Sequence, residues 1–311
     1  MTTVDSVSVV GAGDMGHGFA AHFTRMGKDV TLIDHRQSNL DEAAANVLDV
    51  VEFLNREGLA DLDPEAVVEE IAFTLDRAAG VADADLVLET VTEDLAVKHE
   101  VFSGIADAAP DDAVLASNTS GIPVTDIAEA VPEAAERVAG CHWWFPPYLL
   151  PTVEVVRGAE TSDETFERLA AFVESVDRDP IRVEKDVPGF VWNRLQLAVF
   201  REALHLLERE VASADDINRA IRDGWAIRSA AIGPFETMDI AGLDLVSTVA
   251  EELNPHLCDD DEPSPLFEAN LSAGRGGIHD GAGFFDYDED PSEVVRHRDE
   301  TVAAIRRALE D

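Results

Sequence analysis

Three glycines near the amino terminus limit what this chain can fold into more than any other feature of the sequence. Gly11, Gly13 and Gly16 form the pattern GxGxxG between a β-rich run, SVSVV (6–10), and a segment with helical spacing, MGHGFAAHFTRMG (15–27). In such a turn the first glycine permits the tight bend, the second lets a pyrophosphate approach the backbone, and the third lets the helix pack against the strand. The helix N-terminus adds unpaired N–H groups and a positive dipole end, which favour a bound anion. The pattern therefore predicts a strand–turn–helix unit that binds a dinucleotide.

An acidic residue follows at the distance expected for ribose recognition. Asp34 ends a second β-rich run, DVTLID (29–34), 18 residues after Gly16. A carboxylate at this position accepts hydrogen bonds from the ribose hydroxyls of NAD and repels the 2′-phosphate of NADP. Arg36, two residues further on, is the one feature that would favour NADP, and a glycine-rich turn without a nucleotide is the other alternative. We predict NAD as the cofactor, with the three glycines and Asp34 among its contacts.

β-rich and helical segments alternate through the first part of the chain. Beyond the first two strands, short β-rich runs occur at 71–75, 84–89, 113–118, 137–143 and 152–156. Such alternation predicts a mainly parallel sheet with helices on both faces. After residue 190 the spacing becomes helical, in 191–210 and 213–225, and no β-rich run returns until GFFDY (283–287). We therefore predict an α/β fold, with a Rossmann-type doubly wound sheet in residues 1–186 and a smaller all-α domain in residues 187–311.

The charge balance is strongly acidic. The 311 residues contain 64 acidic side chains against 23 basic ones, a net charge of −41, and lysine is confined to Lys28, Lys98 and Lys185. A chain this acidic repels itself in dilute buffer, whereas the Debye length falls to about 3 Å in 1 M salt, which removes most of that cost. The composition is typical of a halophilic protein, adapted to high cytoplasmic salt. It also argues against a nucleic-acid partner, since the phosphate backbone would be repelled.

The remaining composition excludes several other classes. The two cysteines, Cys141 and Cys258, are too few for a disulfide framework, and neither lies in a pair with metal-ligand spacing, so we predict no metal site. The apolar runs are too short for a membrane-spanning helix. The first residues, MTTVDSVSVVGAG, enter a strand pattern without the basic and hydrophobic stretches of a signal peptide. We expect a cytoplasmic protein with a small-molecule substrate and no membrane partner.

Several motifs, taken in order along the chain, resemble those of the short-chain L-3-hydroxyacyl-CoA dehydrogenases. The matching segments are GAGDMGHG (11–18), ETVTEDLAVKHEVF (89–102), ASNTSGIPVTDIA (116–128), HWWFPPYLLPTVEVV (142–156), VPGFVWNRL (187–195), GPFETMDIAGLDL (233–245) and GGIHDGAGFFDY (276–287). That family shares its fold with L-gulonate 3-dehydrogenase, lambda-crystallin and L-carnitine dehydrogenase. The resemblance runs nearly from end to end and implies an NAD-dependent oxidoreductase acting on a CH–OH group. It also implies that the helical domain shapes the substrate cleft and forms a homodimer.

The resemblance assigns four side chains to the reaction. The family's histidine falls on His142, its glutamate on Glu154, its serine on Ser120 and its asparagine on Asn193. In the chemistry this implies, the imidazole takes the hydroxyl proton as hydride leaves for the nicotinamide, while the glutamate orients and stabilises the imidazole. The serine and the asparagine would hydrogen-bond the reacting oxygen.

The same resemblance places a second group of residues on the cofactor. The family's charged pair falls on Glu93 and Lys98, and the motifs at 11–18 and 116–128 add Met15 and Asn118. Lys98 is one of only three lysines, which argues against an ordinary solvated helix face. The alternative is that Lys98 simply pairs with a nearby acid such as Asp94, one helical turn earlier.

The assignments to the reaction also have competing interpretations. The histidine–glutamate pair could be two incidental polar residues in a core region. Ser117 competes with Ser120, because Gly121 stands where the family usually has a second serine. Asn193 could instead cap the long helix, a common role of asparagine. We expect Trp143 and Trp144 to be wall or core residues.

Three departures from the family pattern bear on the substrate. Phe145 stands where the family has asparagine, and His279 where a lysine is common. Between residues 40 and 75 the single basic residue is Arg56, although many acyl-CoA members have lysines near the CoA phosphates. The stretch YLLPTVEVV (148–156) also resembles the carnitine and gulonate branches, whose substrates are small 3-hydroxy acids.

Three hypotheses about function follow from these observations. The principal one is oxidation of a short-chain L-3-hydroxyacyl-CoA, such as 3-hydroxybutyryl-CoA, to the 3-ketoacyl-CoA, with His142 as general base. The second keeps this chemistry on a free small 3-hydroxy acid resembling carnitine or gulonate. The third is a crystallin-like protein that binds the nucleotide without catalysis.

Overall fold

Contacts within the chain divide it into two compact units in the computed structural model, which describes residues 3–310. The first unit runs to Arg194 and includes the end of the chain from His297, and the second is Leu195–Arg296. The end of the chain groups with the first unit because Ala303 is buried in that unit's core, with Val302 packed against the same cluster. Our assignment of residues 1–186 and 187–311 to two domains stays a prediction, from which this grouping differs chiefly in the last helix.

One mixed sheet forms the centre of the first unit. Its strands are β1 (Ser6–Val10), β2 (Asp29–Ile33), β3 (Ala72–Thr74), β4 (Leu86–Glu89), β5 (Val114–Ser117), β6 (Val138–Trp143), β7 (Thr152–Val156) and β8 (Asp179–Val183). They lie in the order β3-β2-β1-β4-β5-β6-β7-β8, and within the described residues the pairing is parallel except between β6 and β7. This confirms the predicted α/β fold with a doubly wound, mainly parallel sheet.

Helices cover both faces of the sheet. They are α1 (Asp14–Arg25), α2 (Gln37–Arg56), α3 (Pro64–Glu69), α4 (Arg77–Val81), α5 (Leu95–Ala108), α6 (Val124–Ala128) and α7 (Asp163–Ser175), with a 3-10 turn at Pro132–Arg137. The alternation of side chains along β4 shows the two cores, since Leu86 and Leu88 belong to one apolar cluster and Val87 to the other. Parallel strands buried on both faces need such continuous apolar runs.

The strand order reverses at β1. β2 and β3 extend the sheet on one side of β1, and β4 begins the other side. The loop after β1 therefore lies at the switch point, outside the carboxyl ends of the strands, where open α/β sheets bind ligands. The N–H of Gly11 donates to the carbonyl of Ile33 at the end of β2, at 2.8 Å, which ties this loop to the second strand.

Two segments differ from the β-rich pattern of the sequence. β8 was not predicted, because Pro180 and charged residues obscure its pattern; it lies at the edge of the sheet, where a proline can be accommodated. The run GFFDY (283–287) does not form a strand, since only isolated bridges join Gly277 to Ala282 and Ala282 to Asp286 in this segment.

The second unit is helical, as predicted. Its helices are α8 (Trp192–Glu208), which begins in the first unit, α9 (Ala214–Arg219), a π-helix at Ala220–Ala226, α10 (Ile227–Ala231), α11 (Pro234–Ala241), α12 (Leu243–Leu253), α13 (Pro265–Ser272) and the start of α14 (Pro291–Glu310). Of residues 195–296, all of which are described, Cys258 alone is buried. Large apolar side chains such as Phe235 and Ile240 are 77% and 76% exposed. Among residues 3–310, no helix has the length and apolarity that crossing a membrane requires.

Candidate active site

His142 and Glu154 face each other across two antiparallel strands. The register of β6 and β7 pairs these two residues directly, and Glu154 Oε2 lies 2.7 Å from His142 Nδ1. Both side chains are buried. The 12-residue separation in sequence is therefore a direct contact in the structure, because the strands on either side of the turn return antiparallel.

The second oxygen of Glu154 binds the start of α8. Glu154 Oε1 accepts hydrogen bonds from the backbone N–H groups of Val191 and Trp192, each at 2.9 Å. Burial tends to raise the pKa of Glu154, but the hydrogen bonds from His142 and from these two amides outweigh burial and hold the pKa below its ordinary value. An ionised Glu154 requires a donor at Nδ1, so the neutral ring of His142 keeps its lone pair on Nε2.

Aromatic side chains lie close to this pair. The ring of Phe190 is 5.7 Å from the ring of His142, and Trp144 stacks on Trp192 with ring centroids 3.9 Å apart. Phe145, where an asparagine was expected, is 44% exposed, and the guanidinium of Arg298 lies 5.0 Å from its ring centre. The departure at Phe145 thus replaces an amide by an exposed aromatic ring.

The two consecutive tryptophans have different environments. Trp143 is buried against Phe19 and Phe23, and its Nε1–H donates to Cys141 Sγ at 3.2 Å, so it is a core residue as expected. Trp144 is half-buried, and its Nε1 is buried without a hydrogen-bond partner within the part of the chain that the structure describes. A buried N–H donor without a partner is costly, which makes Trp144 a candidate contact for a ligand.

The loop that carries Ser120 is held by two side chains. The Ser120 N–H donates to Glu93 Oε1 at 2.8 Å, and the Ser120 carbonyl accepts from Asn193 Nδ2 at 2.5 Å. Ser120 itself is exposed. The Asn193 amide therefore contacts the backbone of the serine loop, while the first amides of α8 bind Glu154 rather than an asparagine cap.

Ser117 lies in a buried polar network beneath this loop. Its hydroxyl donates to Glu89 Oε2 at 2.6 Å, and the side chain is fully buried. Lys98 Nζ contacts Glu89 Oε1 at 2.9 Å and Glu93 Oε2 at 3.1 Å. Asp94, the alternative partner, instead accepts from the N–H of Val97 at the start of α5.

The predicted pair Glu93–Lys98 is thus brought together, with Glu89 as a member that the sequence analysis missed. Lys98 is 1% exposed, whereas the Glu93 side chain is 42% exposed. Burial tends to raise the pKa of Glu93, but hydrogen bonding from Thr119 and the charge of Lys98 lower it overall. An acid at the end of the apolar run ADLVLE (84–89) was the available signal for Glu89, because an acid buried with a strand needs a partner.

Asn118 and Met15 are both close to the protein's own core. Asn118 Oδ1 accepts from the N–H of Trp143 at 2.8 Å, which joins the end of β5 to β6. Met15 is partly buried and packs against the apolar cluster under α1. Both residues therefore have structural contacts alongside the cofactor role predicted for them.

The glycine loop fits a dinucleotide. Gly11 has φ +113°, and a Cβ there would lie 2.6 Å from the Thr90 carbonyl oxygen; a Cβ on Gly16 would collide with the Gly11 carbonyl. Around Gly13, by contrast, no described residue other than its two chain neighbours comes within 4 Å of a built Cβ, and α1 begins there without a side-chain cap. The protein's own packing explains the first and third glycines, while the open space at Gly13 suits a pyrophosphate on free helix amides.

Asp34 supports the same loop. Its Oδ2 accepts from the N–H of Ala12 at 3.0 Å, and its Oδ1 accepts from the N–H of Arg36 and from Asn39 Nδ2, each at 3.0 Å. The Arg36 side chain is exposed. The carboxylate predicted for ribose recognition thus lies against the glycine loop at the end of β2.

Two family models match the chain. Residues 6–187 match the NAD binding domain of 3-hydroxyacyl-CoA dehydrogenase, and residues 189–287 match the C-terminal domain of 3-hydroxyacyl-CoA dehydrogenase. The first match confirms NAD as the cofactor.

Known relatives differ in the substrates that their names give. The chain is 36% identical, over 99% of both chains, to 5-formyl-3-hydroxy-2-methylpyridine 4-carboxylate 5-dehydrogenase of Mesorhizobium japonicum. It is 34% identical, over 90% of this chain and 99% of the relative, to a probable 3-hydroxybutyryl-CoA dehydrogenase of Deinococcus radiodurans. Its fold is similar to the crystal structure of a 5-formyl-3-hydroxy-2-methylpyridine 4-carboxylic acid 5-dehydrogenase, an NAD+-dependent dismutase, with TM-score 0.91, 33% identity and 99% of both chains covered.

Proposed function

This chain belongs to the 3-hydroxyacyl-CoA dehydrogenase family, and we propose that it oxidises the hydroxyl-bearing carbon of a small carboxylate substrate with NAD, using His142 as general base. One observation carries the proposal: the start of α8, the carboxylate of Glu154 and the imidazole of His142 form a continuous hydrogen-bonded relay. A relay of this kind suits the removal of a hydroxyl proton at neutral pH.

The contact with Glu154 determines which ring nitrogen of His142 acts as the general base. NAD, when bound, supplies the acceptor for the hydride. Glu154 holds the Nδ1–H of His142, so Nε2 takes the proton of the substrate hydroxyl. The carboxylate at 2.7 Å then stabilises the imidazolium that forms, and its second oxygen stays satisfied by the α8 amides.

Ser120 and Asn193 have different roles in this proposal. The exposed hydroxyl of Ser120 is the group that would hydrogen-bond the reacting oxygen. Asn193 donates to the Ser120 carbonyl, so it is a positioning residue for the serine loop. Because Glu93 binds the same loop, the serine is held from two sides.

The cofactor contacts follow the same reasoning. The loop containing Gly11, Gly13 and Gly16 would bind the pyrophosphate, with Met15 in the first turn of α1 and Asp34 at the ribose. Of the charged pair, Glu93 is the member that can reach the nucleotide, because Lys98 is enclosed by Glu89 and Glu93. Asn118 would line the site from the end of β5.

A CoA thioester and a CoA-free carboxylate remain the two substrate classes, and we favour the second. The single basic residue between residues 40 and 75, Arg56, contacts Glu57 and Glu300 and stacks on Phe53, so this stretch offers no second cation to a CoA phosphate. The relative matched over 99% of both chains is named for a pyridine carboxylate. The stacked Trp144 and Trp192, with the unused Nε1–H of Trp144, support a flat substrate that carries an acceptor.

Parallel assays in multimolar salt test the proposal. Acetoacetyl-CoA is offered with NADH, while carnitine, gulonate and 5-formyl-3-hydroxy-2-methylpyridine 4-carboxylate are offered with NAD. The pyridine compound donates a hydride as its hydrated aldehyde, in which the addition of water supplies the CH–OH group. We expect turnover of a CoA-free carboxylate, and turnover of acetoacetyl-CoA alone would select the thioester instead. His142→Ala should abolish turnover while NAD still binds. If the wild-type protein binds NAD and turns over none of these compounds, the crystallin-like hypothesis gains.

We also propose that the chain functions as a homodimer. A helical unit whose residues 195–296 bury only Cys258, and which exposes Phe235 and Ile240, gains stability when a second copy covers its apolar side chains. Light scattering should give twice the chain mass of 33.7 kDa. Phe235→Asp should shift the mass towards the monomer, whereas Leu62→Asp, at an exposed leucine of the first unit, should not.

We further propose that the protein is cytoplasmic and adapted to high salt. The net charge of −41 and the two unpaired cysteines support a reducing compartment with high salt. Thermal unfolding at rising KCl tests the salt dependence, and a midpoint that does not rise would contradict it.

A further inference from the structure

The second unit contains a cluster of three chemically different metal-ligand types. His205 lies on α8, while Cys258 and Asp260 lie in the segment before α13, and one ligand atom from each residue lies within 4.8 Å of the other two. Cys258 Sγ and Asp260 Oδ2 are 3.3 Å apart. We propose that these three residues bind one divalent transition-metal ion, with Zn²⁺ as the best match.

The chemical types of the three ligands indicate which metal ion they would bind. A thiolate, an imidazole and a carboxylate suit Zn²⁺, whereas Mg²⁺ and Ca²⁺ prefer oxygen ligands. With metal–ligand distances of about 2.0–2.3 Å, two ligands of a tetrahedral Zn²⁺ lie roughly 3.3–3.8 Å apart. The Cys258–Asp260 distance is already in this range, and the His205 ligand atom lies within 4.8 Å of both, so binding requires His205 to move towards the other two ligands. Three protein donors leave one position for water.

Polar contacts hold the ligand segment against α8. Glu202 Oε2 accepts from the N–H of Cys258 at 2.8 Å, and Arg201 donates to the carbonyl of Asp260 at 3.3 Å. Further along the segment, the hydroxyl of Ser264 donates to Glu208. Glu202 and His205 are three residues apart and therefore share a helix face. The same face that supplies the histidine ligand also orients the backbone that carries the cysteine, as supporting groups around metal sites do.

The burial of Cys258 is an independent reason for the assignment. It is 8% exposed, and it is the single buried residue in 195–296. Its thiol contacts the carboxylate of Asp260, its backbone N–H donates to Glu202, and it belongs to neither apolar core cluster of the chain. A small unit with so little buried apolar surface is the kind that metal binding stabilises, because the ion would cross-link α8 to the segment 258–260.

Metal binding by the full-length chain tests this proposal without any activity measurement. After removal of metal by chelation, Zn²⁺ is titrated by calorimetry in excess Mg²⁺, which occupies weak carboxylate sites on the acidic surface. One Zn²⁺ per chain is expected, and Co²⁺ in its place should give a thiolate-to-cobalt charge-transfer band. Cys258→Ser and His205→Gln should each weaken Zn²⁺ binding by about tenfold or more.

Two matched variants control for thiol content and for surface charge. Cys141→Ser removes the other cysteine, and Asp261→Asn removes a neighbouring acid outside the cluster; both should retain the affinity and the cobalt band. A second measurement needs no substitution: Zn²⁺ should protect Cys258 from alkylation, while the fully buried Cys141 stays unreactive with or without metal. Absence of the cobalt band in the wild-type chain, or equal Zn²⁺ affinity in Cys258→Ser, would overturn the proposal.

Discussion

Glu154 joins His142 to the beginning of helix α8 through the two oxygens of one carboxylate. Oε2 lies 2.7 Å from His142 Nδ1, and Oε1 lies 2.9 Å from the N–H groups of Val191 and Trp192. The residue that orients the imidazole is therefore also the cap of a helix. A substitution at Glu154 should consequently change both the chemistry of the histidine and the stability of this part of the first unit.

Replacing Glu154 by glutamine should slow the reaction far more than it weakens cofactor binding. The amide presents an N–H₂ group to one side and favours the wrong tautomer of His142, so we expect kcat to fall by roughly 10³–10⁴-fold. The dissociation constant of NAD should stay nearly constant. Steady-state kinetics and a fluorescence titration with NADH measure the two effects. Glu167→Gln, at a glutamate that is paired with Arg182 and has a 40% exposed side chain, is the control and should retain kcat. A loss below tenfold in Glu154→Gln would contradict the proposed relay.

The lowered pKa of Glu154 predicts a pH-dependent contribution to stability. Because the pKa in the folded chain lies below the ordinary value of 4.5, this contribution is complete above pH 4.5 and is lost as the pH falls through the lowered pKa. The difference in free energy of unfolding between the wild type and Glu154→Gln should therefore shrink below pH 4.5. Urea unfolding at constant salt from pH 7 to pH 3.5 measures it. A difference that grows towards acid pH would reverse the expected sign.

The second and third glycines of the loop predict opposite results when each is replaced by alanine. Gly13 has φ −74° and open space at its Cβ, so Gly13→Ala should change the free energy of unfolding by less than about 0.5 kcal/mol. It should weaken NAD binding by about tenfold or more, since the methyl group occupies the approach to the pyrophosphate. Gly16→Ala places a Cβ against the Gly11 carbonyl and should cost about 2 kcal/mol or more of stability. Unchanged NAD affinity in Gly13→Ala would show that the dinucleotide lies elsewhere.

Replacing Lys98 should strongly reduce the free energy of unfolding, although lysine is a residue type that usually lies at the surface. Its ammonium lies between Glu89 and Glu93 at 1% exposure, so Lys98→Met leaves the fully buried carboxylate of Glu89 without its cation and should cost about 3–5 kcal/mol. Lys185→Met, at an exposed lysine, should cost less than about 0.5 kcal/mol. Urea unfolding compares the two. Adding Glu89→Gln to Lys98→Met should recover part of the loss, and no recovery would argue against the ion pair as its cause.

The glycine loop and the alternation of strands could be predicted from the sequence because they depend on local chemistry. A bend that only glycine permits, a helix that begins there and an acid at the end of the next strand are all encoded within a few residues of one another. β8 could not be predicted in the same way, because Pro180 is acceptable only at a sheet edge, and the edge position depends on the whole topology.

The candidate site was likewise predicted only in part from the sequence. His142, Glu154, Glu93 and Lys98 were named from sequence motifs, and the structure brings each pair into contact. Glu89 was missed, as was the hydrogen bond from the Asn193 amide to the Ser120 carbonyl; the role of Asn193 at the reacting oxygen stays a prediction. Partners of this kind are separated by many residues, so their hydrogen bonds exist only once strands and helices are assembled.

The sequence by itself determined the α/β fold, the dinucleotide loop and the family, because these depend on residue type and short-range spacing. The tertiary structure decided which groups share a hydrogen bond. It placed both oxygens of Glu154 between His142 and α8, enclosed Lys98 among carboxylates, and brought Cys258 next to a histidine 53 residues earlier. The physical reason is that burial and pairing depend on distances in space, which chain folding sets across any separation in sequence.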